Sequence, residues 1–242
     1  MNHRPRTTPP LLCFPVGYAT FTLLATESAF RELEEYLLTV AEFIERNKNA
    51  FTESVSTAVQ TAGLTGDDAD CYYEAHQNEF CKWDDTFPNI VLSSVLMSAC
   101  ALFEGRLTDV VRDLDDDVNI VKVITWSDTQ GTGIRRVNNY FRSNFEILLS
   151  DSSKWTDLLA VYTIRDVFVH ALGRPDLGKP ASRPRLDAAV RRFAPNVAED
   201  HVGRLSINIA FVKRVIEGML ECWRELAQAS RDNAVLGPAY WR

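Results

Sequence analysis

From Phe30 onward, apolar residues recur at spacings of three and four, and this helical period limits the folds open to the chain. The strongest run lies between Ile90 and Leu114, through Val91, Val95, Leu96, Ala99, Leu102, Phe103, Leu107, Val110 and Val111. A helix with that pattern belongs in a core. An earlier helix is predicted over 27–61 through Phe30, Leu33, Leu37, Val40, Ala41 and Ile44, stopping at Gly63. Pro88 predicts a kink or restart in the next helical region, 68–115, because proline lacks the backbone donor and clashes with the preceding turn. Asp115, Asp116 and Asp117 then end that region at the unfavourable end of its dipole, as a solvated stop.

Further helices are predicted over 134–148, from a cap at Asp151 or Ser152 to Leu172, and over 206–230. Gly173 and Pro175 punctuate the end of the middle one. Residues 174–205 read as irregular and basic, with one short helix near 186–193. Alternating strands are scarce. The expected fold is all-α, a bundle of four to five main helices. The expected organisation is an irregular N-terminal lead-in over 1–26, a helical extension over 27–84, the main helical domain over 85–232 and a tail over 233–242.

With 242 residues, 46% of them hydrophobic, the chain can bury a sizeable core, which excludes a disordered or collagen-like protein. Its net charge of −7 excludes a polycation that coats nucleic acid. The charge is divided, however. Residues 1–133 hold 9 Lys and Arg against 21 Asp and Glu, and residues 134–242 hold 17 against 12. A basic second half suits a polyanion-facing surface, or it neutralises the acidic half by packing against it. Five cysteines at irregular spacing do not form a disulfide framework, and a cytoplasmic location is expected. Arg4 and Arg6 before the run Leu11–Ala25 imitate an export leader, but Pro9, Pro10, Pro15 and Gly17 break its apolar block. No other stretch is expected to supply the ~18 apolar residues of a membrane span.

Chemistry concentrates in Ile164-Arg165-Asp166-Val167-Phe168-Val169-His170-Ala171-Leu172-Gly173. On a helix, Asp166 and His170 lie about 40° apart and can hydrogen-bond, whereas Arg165 and His170 lie about 140° apart. The latter two do not share a face, so a second copy of the helix would have to complete a site that uses both. The plainer possibility is a histidine stabilising a helix end and an arginine in an ion pair with an acid such as Glu104. Cys71, His76 and Cys81 do not converge on a helix, so no metal or cofactor is expected.

Arg165 to His170 fits the Arg-x4-His signature of the HEPN superfamily. Leu102-Phe103-Glu104-Gly105-Arg106-Leu107 resembles the Phe-Glu-x-x-Leu core of the preceding helix in that family. The segment with Gly133, Arg135 and Tyr140 is similar to the helix before the motif, and Trp155 with the motif and Gly173 resembles defence-associated members. The likeness covers about residues 85–230. It implies a dimeric, metal-independent endoribonuclease of a defence or toxin–antitoxin system. His170 would move protons, Arg165 would stabilise phosphate charge and Asp166 would orient the imidazole, with Glu104 in support. The products would be a 2′,3′-cyclic phosphate and a 5′-hydroxyl. The partners implied are RNA, a second copy and an antitoxin or defence protein, with no membrane.

Arg135 and Arg136 follow Gly131-Thr132-Gly133, which reads first as a plain turn and second as a cradle for phosphate. Arg174, Lys179, Arg183 and Arg185 either track an RNA backbone or belong to a solvated basic loop. Asp166 departs from the Asn or His more usual after the motif arginine. That keeps open a module that binds RNA without cleaving it, and a helical scaffold in which Arg165 and His170 are purely structural.

Overall fold

The computed structural model describes residues 18–178, 182–200, 202–233 and 236. It is all-α in character. The helices are α1 (Tyr18–Thr61), α2 (Asp67–Ala75), α3 (Gln77–Cys81), α4 (Phe87–Asp116), α5 (Gly133–Phe145), α6 (Trp155–Ala171), α7 (Arg183–Phe193) and α8 (Ile209–Asp232). A small antiparallel pair, β1 (Val197–Glu199) and β2 (Leu205–Ile207), matches Val197 to Ile207 and Glu199 to Leu205.

α4 is the centre. Leu92, Val95, Leu96, Ala99, Cys100, Phe103, Leu107, Val110, Val111 and Leu114 are all buried on it, and α1, α5, α6 and α8 pack around it. Pro88 sits in its first turn, where the missing N–H costs nothing. A π-helical turn, Lys82–Thr86, delivers the chain to that restart. Contrary to expectation, the helical stretch Gln77–Asp116 is long and apolar enough to cross a membrane. The same apolarity serves here to build the core.

α1 begins at Tyr18, so the lead-in expected over 1–26 is helical from there; residues 1–17 lie outside the described residues. After Gly17 no proline or glycine interrupts the helix until Gly63, and burial outweighs the modest helix propensity of threonine: Thr26 is fully buried. Phe30, Leu37 and Ile44 are buried at steps of seven, a narrow seam. Phe30 and Leu37 join the same core cluster as α4 and α8. Beyond Ile44, α1 packs against α2, α3 and the π turn. Phe51 meets Phe80 edge-on at 5.0 Å, and Lys48 pairs with Asp84 at 2.6 Å.

The end of α4 is tied down rather than simply solvated. Lys122 Nζ donates to the carbonyls of Asp115 (2.5 Å) and Asp117 (2.7 Å), which places a cation at the negative end of the dipole. Asp115 Oδ1 accepts from Trp126 N at 3.0 Å and Tyr140 Oη at 3.3 Å.

α5 stops at Phe145, where Glu146 turns left-handed. The expected cap at Asp151 or Ser152 gives way to a short 3-10 turn, Leu149–Asp151, and α6 starts at Trp155. In the segment 174–205, the short helix expected near 186–193 is α7, which starts earlier, at Arg183, while β1 and the start of β2 stand where irregular chain was expected. Leu186, Ala189 and Phe193 on α7 are buried, and this helix packs on α6. Residues 206–207 belong to β2, so α8 starts later than expected, at Ile209, capped by Asn208 Oδ1 accepting from Phe211 N.

Candidate active site

α6 carries the motif and ends as its sequence predicts. Leu172 adopts φ 50°, and Gly173 N donates to Val167 O at 3.1 Å. Gly173 has φ 78°, and a Cβ there would lie 3.2 Å from the Phe168 ring, so glycine is required. Gly173 O accepts from Leu205 N at 2.8 Å, which anchors the helix end to β2. Asp157 holds the other end by accepting from Arg192 on α7 and from Arg214 on α8, the latter at 3.1 Å.

Arg165 faces α4. Its Nη2 lies 3.6 Å from Glu104 Oε2, too long for a strong hydrogen bond, and its Nη1 lies 3.1 Å from Asp166 Oδ1. The guanidinium carbon sits 4.9 Å from the centre of the Tyr162 ring. Tyr162 Oη donates to Cys100 O at 3.0 Å, which fixes that ring against α4. Burial is the main cause that pushes the Tyr162 hydroxyl far up and the Cys100 thiol up to about 12. Both stay neutral near neutral pH. Arg165 Nε is buried with no hydrogen-bond partner. Thus one side of the guanidinium is fixed in the protein, and the other faces a groove of about 550 Å³ between α4 and α6.

Glu104 also backs onto α5. Gly133 has φ 55°, which favours glycine, and a Cβ there would lie 3.2 Å from Glu104 Oε1, so the carboxylate sits close beside the start of that helix. The turn Gly131-Thr132-Gly133 therefore has a carboxylate of the chain beside it, where the helix dipole favours negative charge and where a bound phosphate would be repelled.

The expected hydrogen bond between Asp166 and His170 is not formed among the described residues. The Asp166 carboxylate lies instead 3.1 Å from Nη1 of the adjacent Arg165, a charge-assisted contact. His170 is exposed in the last turn of α6, beside Val169 and Leu172, which are 42% and 86% exposed. Arg165 and His170 thus share a helix but not a face.

The arginines expected to contact RNA divide into three groups. Arg136 is turned inward: it stacks on Trp126 at 4.1 Å and donates to Trp126 O (2.6 Å) and Thr129 O (3.0 Å). That position corrects its expected place on an RNA-facing surface. Arg174 pairs with Asp176 at 2.7 Å, and Arg183 pairs with Asp187 at 2.7 Å and with Glu199. Arg135 and Arg185 are exposed. Lys179 lies outside the described residues.

Among the described residues, no group of His, Cys, Asp and Glu side chains is placed to hold a metal ion. His76 Nδ1 is 2.8 Å from Tyr72 O. Sequence reasoning missed Arg112, which is exposed on the groove wall, and Tyr162, which supports Arg165. A polar strip along an otherwise apolar α4 was the available signal for Arg112. Tyr162 precedes Arg165 by three residues, the spacing of neighbours on a helix. Comparison with models of protein families, with curated proteins and with solved structures finds no match to the chain.

Proposed function

We propose that this chain is a HEPN-like endoribonuclease that works without a metal, as a dimer, in a microbial defence or toxin–antitoxin system. One observation carries the proposal: Arg165 is held at the wall of an open groove on the helix that ends in an exposed His170. The guanidinium suits a phosphate whose charge grows in the transition state. The imidazole suits proton transfer near neutral pH. The angle between the two on α6 favours a site shared between two copies.

The chemistry balances without an added reagent. A His170 imidazole takes the proton of the ribose 2′-hydroxyl. The 2′-oxygen bonds to phosphorus, the bond to the 5′-oxygen breaks, and a second His170 protonates the leaving oxygen. A 2′,3′-cyclic phosphate and a 5′-hydroxyl result. Arg165 neutralises the non-bridging oxygens, and Glu104 and Asp166 position its guanidinium until RNA displaces them. RNA and an antitoxin or defence protein are the partners in this reading, and the cytoplasm is the place of action.

A second reading rests on a specific observation. Both carboxylates around Arg165 reduce its attraction for phosphate, and Asp166 does not contact His170. A module that binds RNA without cleaving it fits that arrangement. Incubating parent, Arg165→Ala and His170→Ala proteins with RNA under chelator separates the two. Cleavage by the parent alone supports the enzyme. Salt-sensitive binding without turnover supports the module.

A further inference from the structure

The groove holds a second arginine that the ribonuclease chemistry does not use. Arg112 lies on α4, exposed, and among the described residues it is in no ion pair or hydrogen bond. Ala101, Gly105, Thr108 and Arg112 follow each other at steps of four, three and four, so they share one face. All four line the groove that Arg165 borders from α6. From Ala101 to Arg112 that face runs about 16 Å, longer than one nucleotide.

The floor of this face is unusually low. Gly105 sits in the interior of a 30-residue helix, where glycine is unfavourable, and it is exposed. A Cβ built on it would meet nothing within 4 Å. Packing therefore does not require the glycine. Its effect is to leave open space above the backbone, beside the small Ala101 and Thr108. Glu104 and Asp109 share the wall and repel phosphate, so anion binding along it depends on the two arginines.

We propose that this face of α4 is the track for the RNA strand. Arg165 takes the scissile phosphate, Arg112 takes a neighbouring phosphate, and Gly105 admits the sugar–phosphate backbone between them. The proposal rests on the ribonuclease reading and names the path of its substrate.

The test uses the full chain, chelator and a single-stranded RNA oligonucleotide with 2′-O-methyl groups, which cannot be cleaved. Affinity is measured across a salt series, and self-association by sedimentation. Arg112→Gln is expected to weaken binding severalfold for every sequence and to lower the salt slope by about 0.7, the contribution of one single-strand phosphate contact. Gly105→Leu is expected to weaken binding tenfold or more while melting no earlier than the parent, because leucine is the better helix former. If the parent binds and both variants match it, the track is wrong and the ribonuclease reading survives. If the parent binds no RNA, both ideas fall. If Gly105→Leu keeps RNA binding but loses self-association, the groove belongs to a second copy and the track is overturned.

Discussion

In the proposed ribonuclease, Arg165 is the residue on which the chemistry turns, and its surroundings suit an arginine there. Tyr162 lies under its face, Asp166 takes one terminal nitrogen, and Glu104 approaches the other. A lysine offers a point charge and cannot serve a planar support and two acceptors in this way. Arg165→Lys should therefore lose most of the RNA cleavage rate, by roughly 10²-fold or more, with little change in melting temperature. A rate within threefold of the parent would place the phosphate contact elsewhere.

The buried groups around this arginine make a second prediction. Burial is the largest cause pushing the Cys100 thiol up to about 12 and the Cys222 thiol up to about 11, from an ordinary 9.0. Burial likewise pushes the Tyr140 and Tyr162 hydroxyls far up. Each folded-state pKa is raised, so the native state holds these protons more tightly than the unfolded chain does. The resulting stability is full below pH 9 and is lost as pH rises toward 12, at up to about 1.4 kcal/mol per pH unit for each group. Urea unfolding across that window should show a falling midpoint. A flat midpoint would mean that these side chains reach solvent. Alkylation of the native protein at pH 8, mapped by peptide mass, should label the exposed Cys71 and Cys81 and spare Cys100 and Cys222.

At the scale of elements, the long connection between α4 and α5 shows why an expected RNA contact became a structural one. Residues 118–132 lack regular structure, so their carbonyls and amides need side-chain partners. Arg136 supplies donors to Trp126 O and Thr129 O, and Asn144 Oδ1 accepts from Val123 N and Ile124 N. Arg136→Ala should cost about 2–3 kcal/mol in urea unfolding, because it strips charge-assisted hydrogen bonds from part-buried carbonyls. A cost under ~0.5 kcal/mol would mean that the connection holds itself.

The same scale shows what the sequence made legible. The spacing of three and four from Phe30 to Ile44, the apolar run of α4 and the stop at Gly173 are legible because burial follows the helical period; that only Phe30, Leu37 and Ile44 of that first set are buried was not. The start of α1 at Tyr18 did not, because threonines near a proline-rich stretch favour an irregular assignment until burial is known. β1 and β2 have three residues each, too few to show a period of two. In the site, the four-residue spacing of Asp166 and His170 suggested a bond, but Asp166 meets the adjacent guanidinium instead. Sequence spacing could not rank those two partners.

Across the whole molecule, the acidic first half and the basic second half meet through packed helices. α1 lies on α4 and α8, and Arg224 on α8 donates to Glu27 on α1 at 2.7 Å. Leu37 is fully buried in the shared core cluster, so Leu37→Ala should cost about 2–5 kcal/mol. The loss should appear as an earlier midpoint of one transition that includes α4. An unchanged main transition with a new early step would make α1 a separate unit.

The most direct measurement is product analysis of a defined RNA incubated with the parent and with His170→Ala protein in excess chelator. The expected result is fragments ending in 2′,3′-cyclic phosphate, released by the parent and absent from a variant that melts at the parent's temperature. Equal cleavage by both proteins, or cleavage that stops when metal is removed, would contradict it.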